Sequence, residues 1–211
     1  MQESRRGLYV MKWEESKMGA EALNLHEDIK LYTYEDYTKL KLKDGERFEL
    51  IDGVLYAMAA PNVPHQRISR NLVRLFGNLL EGKPCEVFHA PFDVCLNAKG
   101  DKDKDVFQPD LFVVCDKKKL EDGKRCNGAP DLVIEILSPT SSSRDYVLKL
   151  NKYRMAGVRE YWIVDPEKKV VQKMVLQNKQ YIIKAYLEED VIPVKVLSNY
   201  EIELKKVFAE E

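Results

Sequence analysis

The chain has 211 residues, 45% of them hydrophobic and 33% charged, with 34 Lys and Arg against 35 Asp and Glu. That length fills one core, the composition is that of a soluble globular protein, and a net charge of −1 argues against a protein that coats nucleic acid. No apolar run approaches the ~18 residues of a membrane span, and the charges scattered from Met1 to Lys30 leave no apolar signal core, so a cytoplasmic protein is expected.

Residues 1–30 are weakly patterned and read as an N-terminal extension, with the domain proper expected over 31–211. Thr33 with Asp36 three residues later forms a helix start. Arg47 to Ile51 and Val54 to Met58 flank Asp52-Gly53, a hairpin signal. After a loop from Pro61 to Pro64, a helix is expected from His65 to Leu80. Ile68, Leu72, Leu75, Phe76 and Leu79 form its apolar stripe, and Gly82 and Pro84 close it. Arg67, Arg70 and Arg74 share another face, read as solvated, with phosphate contact as the alternative.

Strands are expected at Glu86 to Phe88, Phe92 to Leu96 and Leu111 to Cys115. Solvated charged loops are expected from Asn97 to Asp105 and from Lys117 to Gly128. Asp131 to Leu137 reads as the central strand. Ser138 to Ser143 reads as a turn and cap, and no His or Asp spacing around it suggests a catalytic triad. A helix follows from Arg144 to Ala156, ended by Gly157, and then a strand from Tyr161 stopped by Pro166. Val170 to Leu176, Tyr181 to Ala185 and Ile192 to Val196 complete a C-terminal meander. The mixed order predicts a single α/β or α+β domain.

The four cysteines, Cys85, Cys95, Cys115 and Cys126, form no Cys-x-x-Cys pair. With only His26, His65 and His89 beside them, a zinc site is not expected. Cys95 and Cys115 lie in apolar runs and read as buried free thiols.

Two acids stand out against this background. Asp110 follows Pro109 at the entrance of a Leu-Phe-Val-Val strand, and Glu135 interrupts a run of Val, Ile and Leu. A carboxylate on a core strand is costly unless something compensates it, and a divalent cation does so where two of them converge. If the two strands are neighbours, both acids project from one sheet face into a shared notch. The plainer alternative has Asp110 capping a turn and Glu135 paired with a buried Arg or Lys.

Pro109-Asp110 followed by Glu135 resembles the PD-(D/E)XK nuclease core, although Leu137 stands where the usual lysine would be. A replacement is Lys149, inside Arg144-Asp145-x3-Lys149-x3-Tyr153-x3-Gly157-Val158-x-Glu160-Tyr161-Trp162. That string, with Phe48 to Gly53, Pro64-His65, Gln108 to Asp110 and Glu135 to Ser138, resembles the Uma-two family, a bacterial branch of restriction endonucleases with a migrated lysine. The resemblance covers residues 31–208 and implies a restriction-endonuclease-like core, a central mixed sheet flanked by helices. It implies Mg²⁺, with Mn²⁺ as a substitute, on Asp110, Glu135 and the carbonyl of Ile136, and a water-orienting or charge-stabilising role for Lys149.

Glu49 is the candidate for an additional acid, against a solvent-facing place in the hairpin. His65 is a further candidate, against a satisfied core histidine. Gln108 is expected near the site. For Lys149 the plainer reading is an exposed salt bridge with Asp145, worth little. Tyr153 reads as a packing residue. The expected function is a Mg²⁺-dependent endonuclease acting on DNA, with no membrane partner and with a homodimer as a compatible assembly. The alternatives are a nuclease-fold DNA-binding or regulatory module without cleavage, and a hydrolase of small phosphate esters.

Overall fold

The computed structural model describes residues 30–138, 143–197 and 200–210, without the side chains of 143–145. Most of the expected N-terminal extension, most of the hydroxyl-rich turn after Ser138, and the Arg144 and Asp145 side chains therefore lie outside the described residues.

The first helix, α1 (Tyr34–Thr38), starts at a capping box. The Thr33 hydroxyl accepts from the Asp36 amide, and the Asp36 carboxylate accepts from the Thr33 amide. β1 (Phe48–Ile51) and β2 (Val54–Ala57) form the expected hairpin. Its turn has positive φ at Asp52 and Gly53, and a Cβ on Gly53 would lie 3.0 Å from that of Leu31, so glycine is required there. α2 (Val63–Leu80) begins two residues earlier than expected because the Asn62 side chain caps the His65 amide and Pro64 fits the first turn.

The middle of the chain supplies β3 (Glu86–His89), β4 (Val94–Cys95), β5 (Val106–Phe107), β6 (Leu111–Val114), β7 (Cys126–Asn127) and β8 (Leu132–Ile136). Next come α3 (Ser143–Ala156), β9 (Glu160–Asp165), β10 (Val170–Gln177), β11 (Gln180–Leu187), β12 (Val191–Val194), β13 (Tyr200–Glu203) and α4 (Leu204–Val207).

Six strands form one mixed sheet in the order β11-β10-β9-β8-β6-β3, with β8 and β9 parallel and joined through α3. Five short strands form a second sheet, β2-β1-β5-β4-β7, and β12 with β13 makes a separate ribbon. Along β9 the residues alternate between two cores. Trp162 and Val164 face α2, α4 and the ribbon, whereas Tyr161 and Ile163 face α3 and the five-stranded sheet. Both faces are thus covered, which is why β9 reads as an unbroken apolar run. A third cluster packs Tyr34 of α1 on Phe48, Leu50, Leu55 and Val106, on the outer side of the five-stranded sheet.

Four expectations are corrected. The strand at Ile192 does not extend the meander but pairs with β13, held to the sheet by the buried Lys173, whose ammonium donates to the Pro193 carbonyl. The strand expected from Phe92 to Leu96 is only two residues long. The supposedly solvated loop from Asn97 buries Asp103 and Asp105, because their carboxylates accept the Asn97 side-chain amide and nearby backbone amides. Cys115 is not a free thiol. It is disulfide-bonded to Cys85, its cross-strand neighbour in the β3–β6 pairing, while Cys95 is the buried free thiol expected.

Candidate active site

Antiparallel pairing of β6 with β8 sets Leu111 opposite Ile134, so one further step in register puts Asp110 opposite Glu135. Residues directly opposite share a face. The two acids therefore meet on the face that also carries Phe112 and Val133, as the sequence required if these strands were neighbours. Asp110 does not cap a turn. Its Oδ2 accepts the Ile136 backbone N–H at 2.8 Å and lies 3.2 Å from His65 Nε2, which reaches in from the first turn of α2.

Glu49 comes from β1, where the whole Phe48–Ile51 stretch is buried, so the alternative of a solvent-facing place in the hairpin does not hold. The Lys149 ammonium, projecting from α3, donates to Glu49 Oε1 at 2.9 Å and to Glu135 Oε1 at 3.1 Å. Its side chain is only 16% exposed, which rules out the wet salt bridge that would have been worth little. The Tyr153 hydroxyl, one helical turn further on, donates to Glu135 Oε1 at 2.7 Å. The Gln108 amide N–H donates to Glu49 Oε1 at 3.2 Å, and its side-chain NH₂ donates to Tyr37 Oη and Asp93 Oδ1.

A pattern runs through these contacts. Each of the three carboxylates has one oxygen held by protein donors, namely Asp110 Oδ2, Glu135 Oε1 and Glu49 Oε1. Their other oxygens accept no hydrogen bond among the described residues, and none of them is a fully buried atom lacking a partner. Among the described residues the site thus presents one oxygen per carboxylate without a protein donor.

Charge does not balance here. One ammonium pairs with Glu49 and Glu135, and a third carboxylate, Asp110, lies beside His65. Burial pushes the Glu135 carboxyl up to about 7; Lys149 opposes the shift, and Glu49 and Asp110 reinforce it. Burial alone would lower Lys149, but Glu135 and Glu49 outweigh it and hold the ammonium well above the ordinary lysine value. Burial, with Glu135 and Glu49, keeps the Tyr153 phenol protonated far beyond neutral pH, so it is a permanent donor. Among the described residues His65 Nδ1 is buried without a hydrogen-bond partner, while Nε2 faces Asp110.

The donor set is one of hard oxygens, suited to Mg²⁺, Mn²⁺ or Ca²⁺ more than to zinc. Among the described residues no group of three His, Cys, Asp or Glu side chains is arranged to hold a metal ion. A cation here would rest on the two carboxylates of Asp110 and Glu135 and draw its remaining ligands from backbone oxygen and water, which is how Mg²⁺ is usually held. The residues fit such an ion in type and in charge.

A cleft of about 340 Å³ lies alongside, lined by Asn62, Pro64, Leu137, Ser138 and the Asp165-Pro166-Glu167 turn, at the C-terminal ends of the parallel strands β8 and β9. A larger cleft of about 620 Å³ lies at the other end of β8, around Asp131 and Arg159, and neither cleft has Asp110, Glu135, Glu49, Lys149 or His65 in its lining.

Asp110, Glu135, Lys149, Glu49 and His65 therefore fall into one constellation. Of the three arginines, Arg67 lies on the surface, paired with Glu210. Sequence reasoning missed the Tyr153 bond, although its spacing of four from Lys149 was a usable signal. It also missed Lys152, which binds Asp52 and Asp105 and ties α3 to the hairpin.

Comparison with known proteins gives a family and a fold. A family model, Uma2, described as "Putative restriction endonuclease", matches residues 34–205. Two proteins of Synechocystis sp. are similar. One, called uncharacterized protein slr1290, is 29% identical over 119 residues, 56% of this chain and 60% of that protein. The other, uncharacterized protein sll1609, is 25% identical over 138 residues, 64% of this chain and 76% of that protein. The chain thus matches about 60% of the length of the first of these relatives. A crystal structure from Anabaena variabilis, titled as a putative nuclease belonging to DUF820, matches with a TM-score of 0.67 and 21% identity, covering 83% of this chain and 97% of that one. At that identity the likeness is one of fold, and it shows the restriction-endonuclease-like α+β core expected from the sequence.

Proposed function

Because the chain belongs to the Uma2 family, whose description is "Putative restriction endonuclease", we propose that it is a Mg²⁺-dependent endonuclease that hydrolyses phosphodiester bonds in DNA. One observation carries this reading. Three carboxylates, Glu49 buried and Asp110 and Glu135 partly buried, are each held on one oxygen and, among the described residues, lack a donor on the other. A single ammonium pairs with two of them, an excess of acid that a divalent cation would balance.

On this reading Asp110, Glu135 and the Ile136 carbonyl hold the ion, with Mn²⁺ able to replace Mg²⁺. When bound, Mg²⁺ supplies charge neutralisation at the phosphate and makes water more acidic. The chain's own groups do the rest. His65 and the Ile136 amide keep Asp110 turned with its second oxygen outward. Lys149 stays an ammonium because Glu49 and Glu135 hold it so, and it stands beside the acids as a point donor for a phosphate oxygen or for the attacking water. Glu49 anchors that ammonium from β1. Water adds to phosphorus, the bond to one ester oxygen breaks, and a phosphate monoester and a hydroxyl end result.

The test is incubation with supercoiled plasmid in Mg²⁺ or Mn²⁺, run beside Asp110→Ala and Lys149→Ala. Nicking that depends on the metal and falls by about 10²-fold or more in both variants is expected. One observation favours a second reading, a nuclease-fold module that binds without cutting: the Lys149 ammonium is already engaged by two carboxylates. Failure of the wild-type protein to cleave plasmid or single-stranded DNA, together with no heat of Mn²⁺ binding, would put that module ahead.

A further inference from the structure

Glu135 takes two donors on the same oxygen. Tyr153 Oη and Lys149 Nζ both reach Oε1, at 2.7 and 3.1 Å, and among the described residues no donor reaches Oε2. The two donors differ in what they can fix. Lys149 is a flexible chain shared with Glu49. Tyr153 is a fully buried ring, set between Phe107 at 5.3 Å and Tyr161 at 4.9 Å between centroids, so its hydroxyl has one location.

We propose that Tyr153 is a positioning residue that holds Glu135 on Oε1 so that Oε2 stays open to a divalent cation beside Asp110. The inference rests on the metal-dependent reading above. Without the phenol, nothing stops the carboxylate from turning both oxygens onto the Lys149 ammonium as a two-point ion pair and withdrawing from the open side. The hydroxyl thus acts through Glu135 and touches neither the ion nor the substrate.

Tyr153→Phe removes only the hydroxyl and keeps the ring against Phe107 and Tyr161. Tyr161→Phe is the control, because that neighbouring buried phenol makes no hydrogen bond among the described residues. Calorimetric titration of the metal-stripped full chain with MnCl₂ is the readout, with the melting temperature of each metal-free variant measured alongside.

The expected result is a dissociation constant raised about 10–100-fold in Tyr153→Phe, unchanged in Tyr161→Phe, with the metal-free melting temperature of Tyr153→Phe close to wild type. Equal Mn²⁺ affinity in Tyr153→Phe and wild type would overturn the positioning role while leaving the metal site standing. Equal losses in both tyrosine variants would overturn it too, by tracing the effect to packing. A wild-type protein that binds Mn²⁺ no better than Asp110→Ala would remove the metal reading itself, and this inference with it.

Discussion

Glu135 is the residue at which burial and charge meet most sharply. Its carboxyl, pushed up to about 7, lies above the value of 4.5 that it has when exposed. The folded metal-free protein therefore binds this proton more tightly than the unfolded chain does. The resulting stability is fully present below pH 4.5 and is lost as pH rises through about 7. The metal-free protein should accordingly lose melting temperature between pH 6 and 8, and Glu135→Gln, which cannot ionise, should flatten that slope. A slope unchanged in the glutamine variant would show that Glu135 is not the group responsible. The neighbouring Asp93 follows the same physics on a smaller scale, raised by burial and moderated by donors from Gln108, Tyr34 and Tyr37. It was invisible in sequence because a lone Asp before a short strand looks like any loop acid.

At the scale of elements, α3 decides the site, and charged anchors help to place it. Lys149 ties it to β1 and β8, while Lys152, one turn on, ties it to Asp105 and to Asp52 in the hairpin turn. Asp105 is nearly fully buried, and without Lys152 it would keep, among the described residues, only neutral donors from Asn97 and the Asp52 amide. Breaking a buried pair by removing one partner costs about 3–5 kcal/mol. The exposure of Asp52 and the surviving neutral donors put Lys152→Met nearer to about 2 kcal/mol. Urea unfolding would read this as a lower midpoint with an unchanged slope, and a midpoint equal to wild type would show that the clamp contributes nothing. The burial of Asp103 and Asp105 was not legible, since a stretch of alternating Lys and Asp reads as solvated until a partner helix covers it.

For the whole molecule, the near balance of 34 basic and 35 acidic residues bears on how DNA would be held. A protein that makes 6–10 phosphate contacts loses about 10³-fold or more in affinity between 50 and 200 mM salt. With no excess of basic residues, and with Arg67 paired to Glu210, this chain should lose less than about 10³-fold over that interval. Fluorescence anisotropy of a labelled duplex, in Ca²⁺ to suppress cleavage, would measure the slope, and a steeper loss would point to a basic surface that the charge count does not suggest. No helix among the described residues is long and apolar enough to cross a membrane.

By itself the sequence determined the longer elements and singled out Asp110 and Glu135. Helical periodicity wrote α2, the Asp52-Gly53 turn wrote the first hairpin, and acids placed in apolar strands marked Asp110 and Glu135. These are local signals, readable over a few residues. Lys149 was found only through the family resemblance, because a lysine on a helix carries no local mark of burial. The tertiary structure alone decided what lies opposite what. It set β6 beside β8, Cys85 opposite Cys115, and Lys149 against an acid 100 residues away in sequence. It alone produced the charge imbalance as well, since desolvation exists only once the layers have closed over Glu49, Glu135 and Lys149.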